Sequence, residues 1–205
     1  DEMVKIITDR NFKALPEYMQ QCAEEAYECM AHTGDGQMCD VIIDNGTLKA
    51  ILMAAGDSKC DILREYAETQ VAVADIKIAV RSCKTAKNMD FMKRAMVPCE
   101  TINTDRLAKA ALSGMEDIVK YLSETPYSGG AEALNDSSSA FECWCDNRII
   151  ETIRPQKFNA FTVGPLVAYV LGRLNEIKTV RIILSGKLNG LPDSAIRERV
   201  REMYV

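Results

Sequence analysis

The chain has 205 residues, 47% of them apolar and 27% charged, with a formal net charge of -5. That length gives one or two domains with a sizeable buried core, and the acidic balance excludes a general nucleic-acid binder, which needs clustered lysine and arginine. The longest uncharged stretch, 158–172, contains Gly164 and Pro165 and falls short of the roughly 20 apolar residues of a membrane-spanning helix.

Charge is uneven: residues 173–205 carry seven basic and four acidic side chains, and the remainder is strongly acidic. This points the C-terminal end towards an acidic partner. The eight cysteines (Cys22, Cys29, Cys39, Cys60, Cys83, Cys99, Cys143, Cys145) lie scattered in helical contexts. They read as reduced, small apolar residues of a cytosolic protein. The opening Asp1-Glu2-Met3 reads as the interior of a longer chain.

Helical periodicity recurs from end to end. Leu15, Met19, Cys22, Ala26 and Cys29 fall on one face, after Pro16 and before the turn Gly34-Asp35-Gly36. Asp44-Asn45 is a predicted helix start, with Leu48, Ile51, Leu52 and Ala55 as its apolar face and Gly56-Asp57 as its break. Ser58 and Asp61 form a predicted capping box. The long helix behind it keeps Ile62, Tyr66, Val73, Ile76, Val80 and Cys83 in phase. Short helices are predicted at 91–97, at 105–112 capped by Thr104, and behind a Ser113/Glu116 box. Residues 125–130 read as a loop. A Ser139/Glu142 box opens a helix from 141 to about 154. Pro165 opens the last long helix, whose predicted core face is Leu166, Tyr169, Val170, Ile177, Val180 and Leu184, with Gly186 as its C-cap. A terminal helix is predicted with Ile196, Val200 and Met203 inward and Arg197, Arg199 and Arg201 outward. No segment demands a strand, so the expected class is all-α.

The chain repeats itself. Asp44-Asn45 returns as Asp146-Asn147, 102 residues on, and Asp75-Ile76-Lys77 as Glu176-Ile177-Lys178, 101 residues on. Two marks at matched spacing predict two helical units, 1–100 and 101–205.

Motifs that carry chemistry are scarce. Ser185-Gly186-Lys187-Leu188 lacks the first glycine and the hydroxyl of a phosphate-binding loop. Cys29 and His32, with Cys22 and Cys39 nearby, are the best zinc candidates, but Cys22 and Cys29 belong to the apolar stripe. Cys143 and Cys145 are helix neighbours pointing apart. His32 is the only histidine. Asp40 and Asp44 lie one turn apart. No catalytic site, metal site or cofactor is predicted, and a chain of this kind works by contact with other proteins.

The run Asn175-Glu176-Ile177-Lys178-Thr179-Val180-Arg181-Ile182-Ile183, then Gly186-Lys187-Leu188-Asn189-Gly190-Leu191-Pro192, then Ile196-Arg197-Glu198-Arg199 and the ending Tyr204-Val205 resemble the C-terminal part of the C subunit of the V-type (archaeal/bacterial A/V-type) ATP synthases, related to the d subunit of the vacuolar ATPase. Asp75-Ile76-Lys77 with Val80-Arg81 resembles that family's Asn-Ile-Lys segment, with Asp75 where the family usually has Asn. Thr125-Pro126-Tyr127, the pattern Phe141, Trp144, Asp146-Asn147, and the pair Asp40 and Asp44 also fit. The resemblance implies a funnel of three similar helical units, two of them present here. It further implies a non-catalytic rotor component of the central stalk, cytoplasmic at the inner face of the membrane. That component couples the axle of the D and F subunits to a membrane ring of ion-carrying subunits. Lys77, Arg81, Lys178 and Arg181 are the expected partner-facing cations. The alternative is a free-standing helical-repeat scaffold. A chain lacking its first unit is expected to expose an apolar face and self-associate.

Overall fold

The computed structural model describes residues 2–204; Asp1 and the Val205 of the C-terminal pattern lie outside them. The elements in order are α1 (Glu2–Thr8), a 3-10 turn (Phe12–Ala14), α2 (Glu17–Thr33), α3 (Gly36–Asp57), α4 (Asp61–Lys84), α5 (Met89–Ala95) and α6 (Thr104–Ser113). Then come α7 (Met115–Ser123), α8 (Ser128–Asp136), α9 (Ser138–Ile153), a second 3-10 turn (Arg154–Phe158), α10 (Gly164–Leu188) and α11 (Asp193–Arg197). No strand occurs among the described residues, and the fold is all-α.

Helix ends follow local chemistry. α2 stops at Gly34, whose φ of 65° suits a residue without a side chain. α3 begins earlier than predicted, because the Asp35 carboxylate accepts the Met38 amide and opens the helix there. Asp44 and Asn45 therefore sit in mid-helix. Cys60 is the N-cap residue of α4, and Ser58 Oγ accepts the Cys60 amide instead. Asn103, not Thr104, caps α6 by accepting from the Arg106 amide. Gly114, not Ser113, precedes α7. Ser137 caps α9 through the Ala140 amide, which leaves Glu142 free to turn towards α4. The stretch predicted as loop contains the start of α8.

The main core joins α4 to α6, α7, α8 and α9, so it is built across residue 100. Val73, Ile76 and Val80 of α4 pack with Leu107, Ile118, Leu122, Phe141 and Cys145. Gly130 of α8 lies under Trp144: a Cβ there would stand 2.7 Å from the indole ring. Gly130→Val is expected to cost about 1–3 kcal/mol. Because Trp144 is the single tryptophan, the change is read directly as a shift in its emission together with a lower urea midpoint.

α10 is the reverse of the prediction. Its buried stripe is small or polar: Gly164, Ala168, Gly172, Asn175, Thr179 and Gly186. Leu166, Tyr169, Val170, Ile177, Val180 and Leu184, the predicted core face, are 47–70% exposed. Gly186 lies inside the helix, where a Cβ would stand 2.7 Å from Ile196 of α11, so close approach rather than a C-cap explains it. After α11 the chain runs on without helix. Arg201 is buried, Val200 is half-buried and Met203 is exposed, against the predicted pattern.

Two long helix pairs each hold a stretch of backbone through one donating and one accepting side chain, with the roles of the earlier and the later helix exchanged between the pairs. Asn45 of α3 donates to the carbonyls of Ala95 and Met96, while Asp75 of α4 accepts the Val97 amide at 3.0 Å. Asn147 of α9 accepts the Glu202 amide at 2.9 Å, while Asn175 of α10 donates to the Glu202 carbonyl at 2.7 Å. The turns that end α4 and α10 also match. Thr85, Ala86 and Lys87 donate to Arg81, Cys83 and Ser82, and Asn189, Gly190 and Leu191 donate to Ser185, Lys187 and Gly186. Ala86 and Gly190 share a positive φ, 49° and 67°. The shift between these turns is 104 residues, not the 101 suggested by the Ile-Lys marks.

Candidate functional site

The polar centre of the molecule forms where α9, α10, α4 and the C-terminal segment meet. Asp146 of α9 is 8% exposed. One of its oxygens accepts from Lys178 of α10 at 2.6 Å, and the other from Arg201 at 2.6 Å. Lys77 of α4 reaches Glu142 at 3.1 Å and Asp146 at 3.9 Å. Burial alone would raise the Asp146 carboxyl; the hydrogen bond from Lys178, the charge of Lys77 and the hydrogen bond from Arg201 outweigh it and hold the group below the usual carboxylate range.

Beside this centre opens a cleft of about 640 Å³. Lys178, Arg181, Arg199 and Arg201 line it, together with Ser138 and Glu142. Lys178 and Arg201 are committed to Asp146. Arg181 and Arg199 are exposed and have no carboxylate within 4 Å among the described residues, so the cleft presents positive charge.

Of the four cations singled out in the sequence, Lys77 and Lys178 come together on Asp146, and Arg181 joins Lys178 along the cleft. Arg81 is exposed on α4 and takes no part in the cluster. Sequence reasoning missed the organising carboxylate and turned Arg201 outward. The one signal for Asp146 was its place in the repeated Asp-Asn pair. Among the described residues no three His, Cys, Asp or Glu side chains are grouped to hold a metal ion. All eight cysteines are free, and burial, as the largest cause, pushes the Cys99 and Cys145 thiols up to about 12.

The family of ATP synthase (C/AC39) subunits matches residues 1–199. The chain belongs to this family. Curated relatives are the C subunits of A-type ATP synthases. That of Methanocaldococcus jannaschii is 25% identical over 162 residues, covering 74% of this chain and 40% of the relative. That of Desulfurococcus sp. is 24% identical over 163 residues, covering 77% and 44%. That of Haloquadratum walsbyi is 25% identical over 147 residues, covering 66% and 41%. The chain thus spans about two fifths of the length of the relatives it matches. No solved structure gives a significant match. No described helix of this C/AC39 family member is long and apolar enough to cross a membrane.

Proposed function

We propose that the chain is a non-catalytic part of the central stalk of a V/A-type rotary ATPase, at the cytoplasmic face of the membrane. In this reading it couples the axle of the D and F subunits to the membrane ring of ion-carrying subunits during ATP-driven ion transport or ATP synthesis. Family membership across residues 1–199 is the observation that carries the reading. The packed helical body supports it, since torque needs a stiff element and close-packed interiors deform little. Residues 1–100 and 101–205 act as two copies of one helical unit, a division supported by the matched turns and clamped segments.

Of the partner-facing cations, Lys77 and Lys178 are neutralised within the chain. Arg81, Arg181 and Arg199 therefore remain to meet an acidic partner. The test is binding of this chain to a purified D/F axle at several salt concentrations. Saturable binding that weakens about tenfold or more from low to high salt is expected. Arg199→Glu is expected to weaken it by a comparable factor. Absence of binding at every salt concentration would sink the axle assignment.

A further inference from the structure

We propose that Cys29 and Cys39 form a redox modification site: they face each other across the α2–α3 hairpin, and a hydroperoxide joins them in a reversible disulfide. The register of the hairpin carries this. Cys22 of α2 meets Gly46 of α3, where an added Cβ would stand 2.6 Å from the Cys22 Cβ. From that contact Cys29 lies seven residues towards the turn along α2, and Cys39 seven residues towards it along α3. Seven residues are close to two helical turns, about 10.5 Å of rise. Both thiols therefore return to the faces that meet at Cys22 and Gly46. Between the two levels, Ala26 is 2% exposed and Ile42 opposite it is half-buried.

The turn between the helices preserves that register. The Gly34 amide donates to the Met30 carbonyl at 3.0 Å. Thr33 Oγ1 donates to the Cys29 carbonyl at 2.7 Å and accepts the Asp35 amide at 3.1 Å, and Asp35 accepts the Met38 amide at 3.0 Å. The two cysteine backbones are thus joined by a hydrogen-bonded turn rather than by a slack loop. A disulfide needs Cβ atoms about 3.8 Å apart. The hairpin is closer than that at Cys22 and Gly46, and the turn keeps the helices from parting at its own end. The electrostatics agree with the juxtaposition: burial, then Asp40, then Cys29 push the Cys39 thiol up. A raised thiol is a slow first nucleophile, so the first attack falls to Cys29 and the resolving step to Cys39.

Other uses of these thiols fit less well. A metal ion would need further ligands, and among the described residues no three His, Cys, Asp or Glu side chains are grouped to hold one. Cys22 donates to the Met19 carbonyl of its own helix at 3.2 Å and faces a glycine. Cys29 and Cys39 are free and only partly buried, so a small oxidant reaches them. The chemistry balances with hydrogen peroxide. The Cys29 thiolate attacks one peroxide oxygen, the O–O bond breaks, and a sulfenic acid and one water result. The Cys39 thiolate then attacks the sulfenic sulfur. The S–S bond forms, the S–O bond breaks and a second water leaves. The two thiols give up two electrons and two protons, and the peroxide takes them up. A dithiol reductant reverses the change. The bond closes the short loop around Gly34-Asp35-Gly36 and staples α2 to α3.

The experiment treats the fully reduced 205-residue chain with hydrogen peroxide and follows it by mass spectrometry, intact and after digestion. Cleavage after Glu28 and before Asp35 and Asp40 puts Cys22, Cys29 and Cys39 on separate fragments. The expected result is a loss of about 2 Da, a fragment pair linked through Cys29 and Cys39, and release of the pair by dithiothreitol. The oxidised chain should also show a higher urea midpoint than the reduced one. Cys29→Ser and Cys39→Ser are each expected to remove the link and Cys22→Ser to leave it, with the fold of each variant checked by circular dichroism. Sulfinic acid at Cys29, a gain of about 32 Da without the link, would overturn the proposal. So would a link from Cys29 or Cys39 to any other cysteine, in the same chain or in a second copy. So would both thiols staying reduced at peroxide levels that oxidise free glutathione.

Discussion

Replacing Asp146 by alanine is expected to destabilise the protein by about 3–5 kcal/mol, the usual cost of leaving a buried charge without its partner. Arg201 is the charge left behind: it is 8% exposed, and among the described residues Asp146 is its only carboxylate within 4 Å. Lys178→Ala is expected to cost no more than about 1 kcal/mol, because that side chain is half exposed and water can replace the pair. Urea unfolding followed by Trp144 emission measures both, and a loss for Asp146→Ala no larger than for Lys178→Ala would refute the central role of the carboxylate. Asp146→Ala combined with Arg201→Met should recover much of the loss, since an apolar pair needs no compensating charge. The damage should spread along the C-terminal segment, where Asn147 and Asn175 clamp the Glu202 peptide and Arg154 pairs with its side chain at 2.6 Å. Hydrogen exchange at the Glu202 amide reports this. The pH dependence has a definite sign: the folded carboxyl is depressed, so its contribution is present above an unfolded value of about 4 and is lost as pH falls through the lower folded value.

The helices were legible because their apolar residues keep phase, as Ile62, Val73, Ile76 and Val80 do in α4. The face of α10 was not legible, and the reason is packing. A helix can be buried through small residues that let a neighbour approach closely, and Gly172 and Gly186 admit Tyr204 and Ile196. Hydrophobicity alone selects the larger stripe, which here faces outward. α8 was missed because Gly129-Gly130 reads as a break, although both glycines lie in its first turn and make room for Trp144. Of the candidate site, the cations Lys77, Lys178 and Arg181 were visible, but their arrangement was not. Asp146 meets Lys178 and Arg201 across 32 and 55 residues, and nothing local marks such pairs. The repeat register escapes the sequence for a related reason. An acid-Ile-Lys match weighs three letters, whereas the turns that end α4 and α10 weigh backbone geometry, and the two registers differ by three residues.

Asp75→Asn is expected to stabilise the protein above neutral pH and to remove a pH dependence of unusual sign. Asp75 is fully buried in α4. One oxygen accepts the Val97 amide, and the other has no hydrogen-bond partner among the described residues. Burial, as the largest cause, raises its pKa to about 7; the Val97 hydrogen bond opposes that rise, and the nearby Glu68 charge adds to it. A carboxyl raised in this way binds its proton more tightly in the folded state than in the unfolded chain. Stability is therefore fully present below an unfolded value of about 4 and declines as pH rises through the folded value near 7. A rise from about 4 to about 7 corresponds to about 4 kcal/mol, an upper figure for the gain from Asn at pH 8. Asparagine keeps the acceptor for Val97 but places an NH2 group where the unpartnered oxygen sits, so the expected gain is about 2–4 kcal/mol at pH 8. It should shrink towards zero near pH 4, where the aspartic acid is neutral in both states. Paired urea titrations of the two proteins across this range isolate the contribution of Asp75 and its coupling to Glu68, because titrating groups that do not interact with Asp75 cancel in the difference. A difference that does not change with pH would mean that Asp75 titrates at an ordinary carboxylate value and that the α4 clamp on Val97 carries a charge. The result also bears on the family resemblance, in which Asn is the usual residue at this position. With a neutral side chain at position 75, both long helices hold a backbone group through an uncharged polar side chain, α4 by accepting the Val97 amide and α10 by donating from Asn175 to the Glu202 carbonyl.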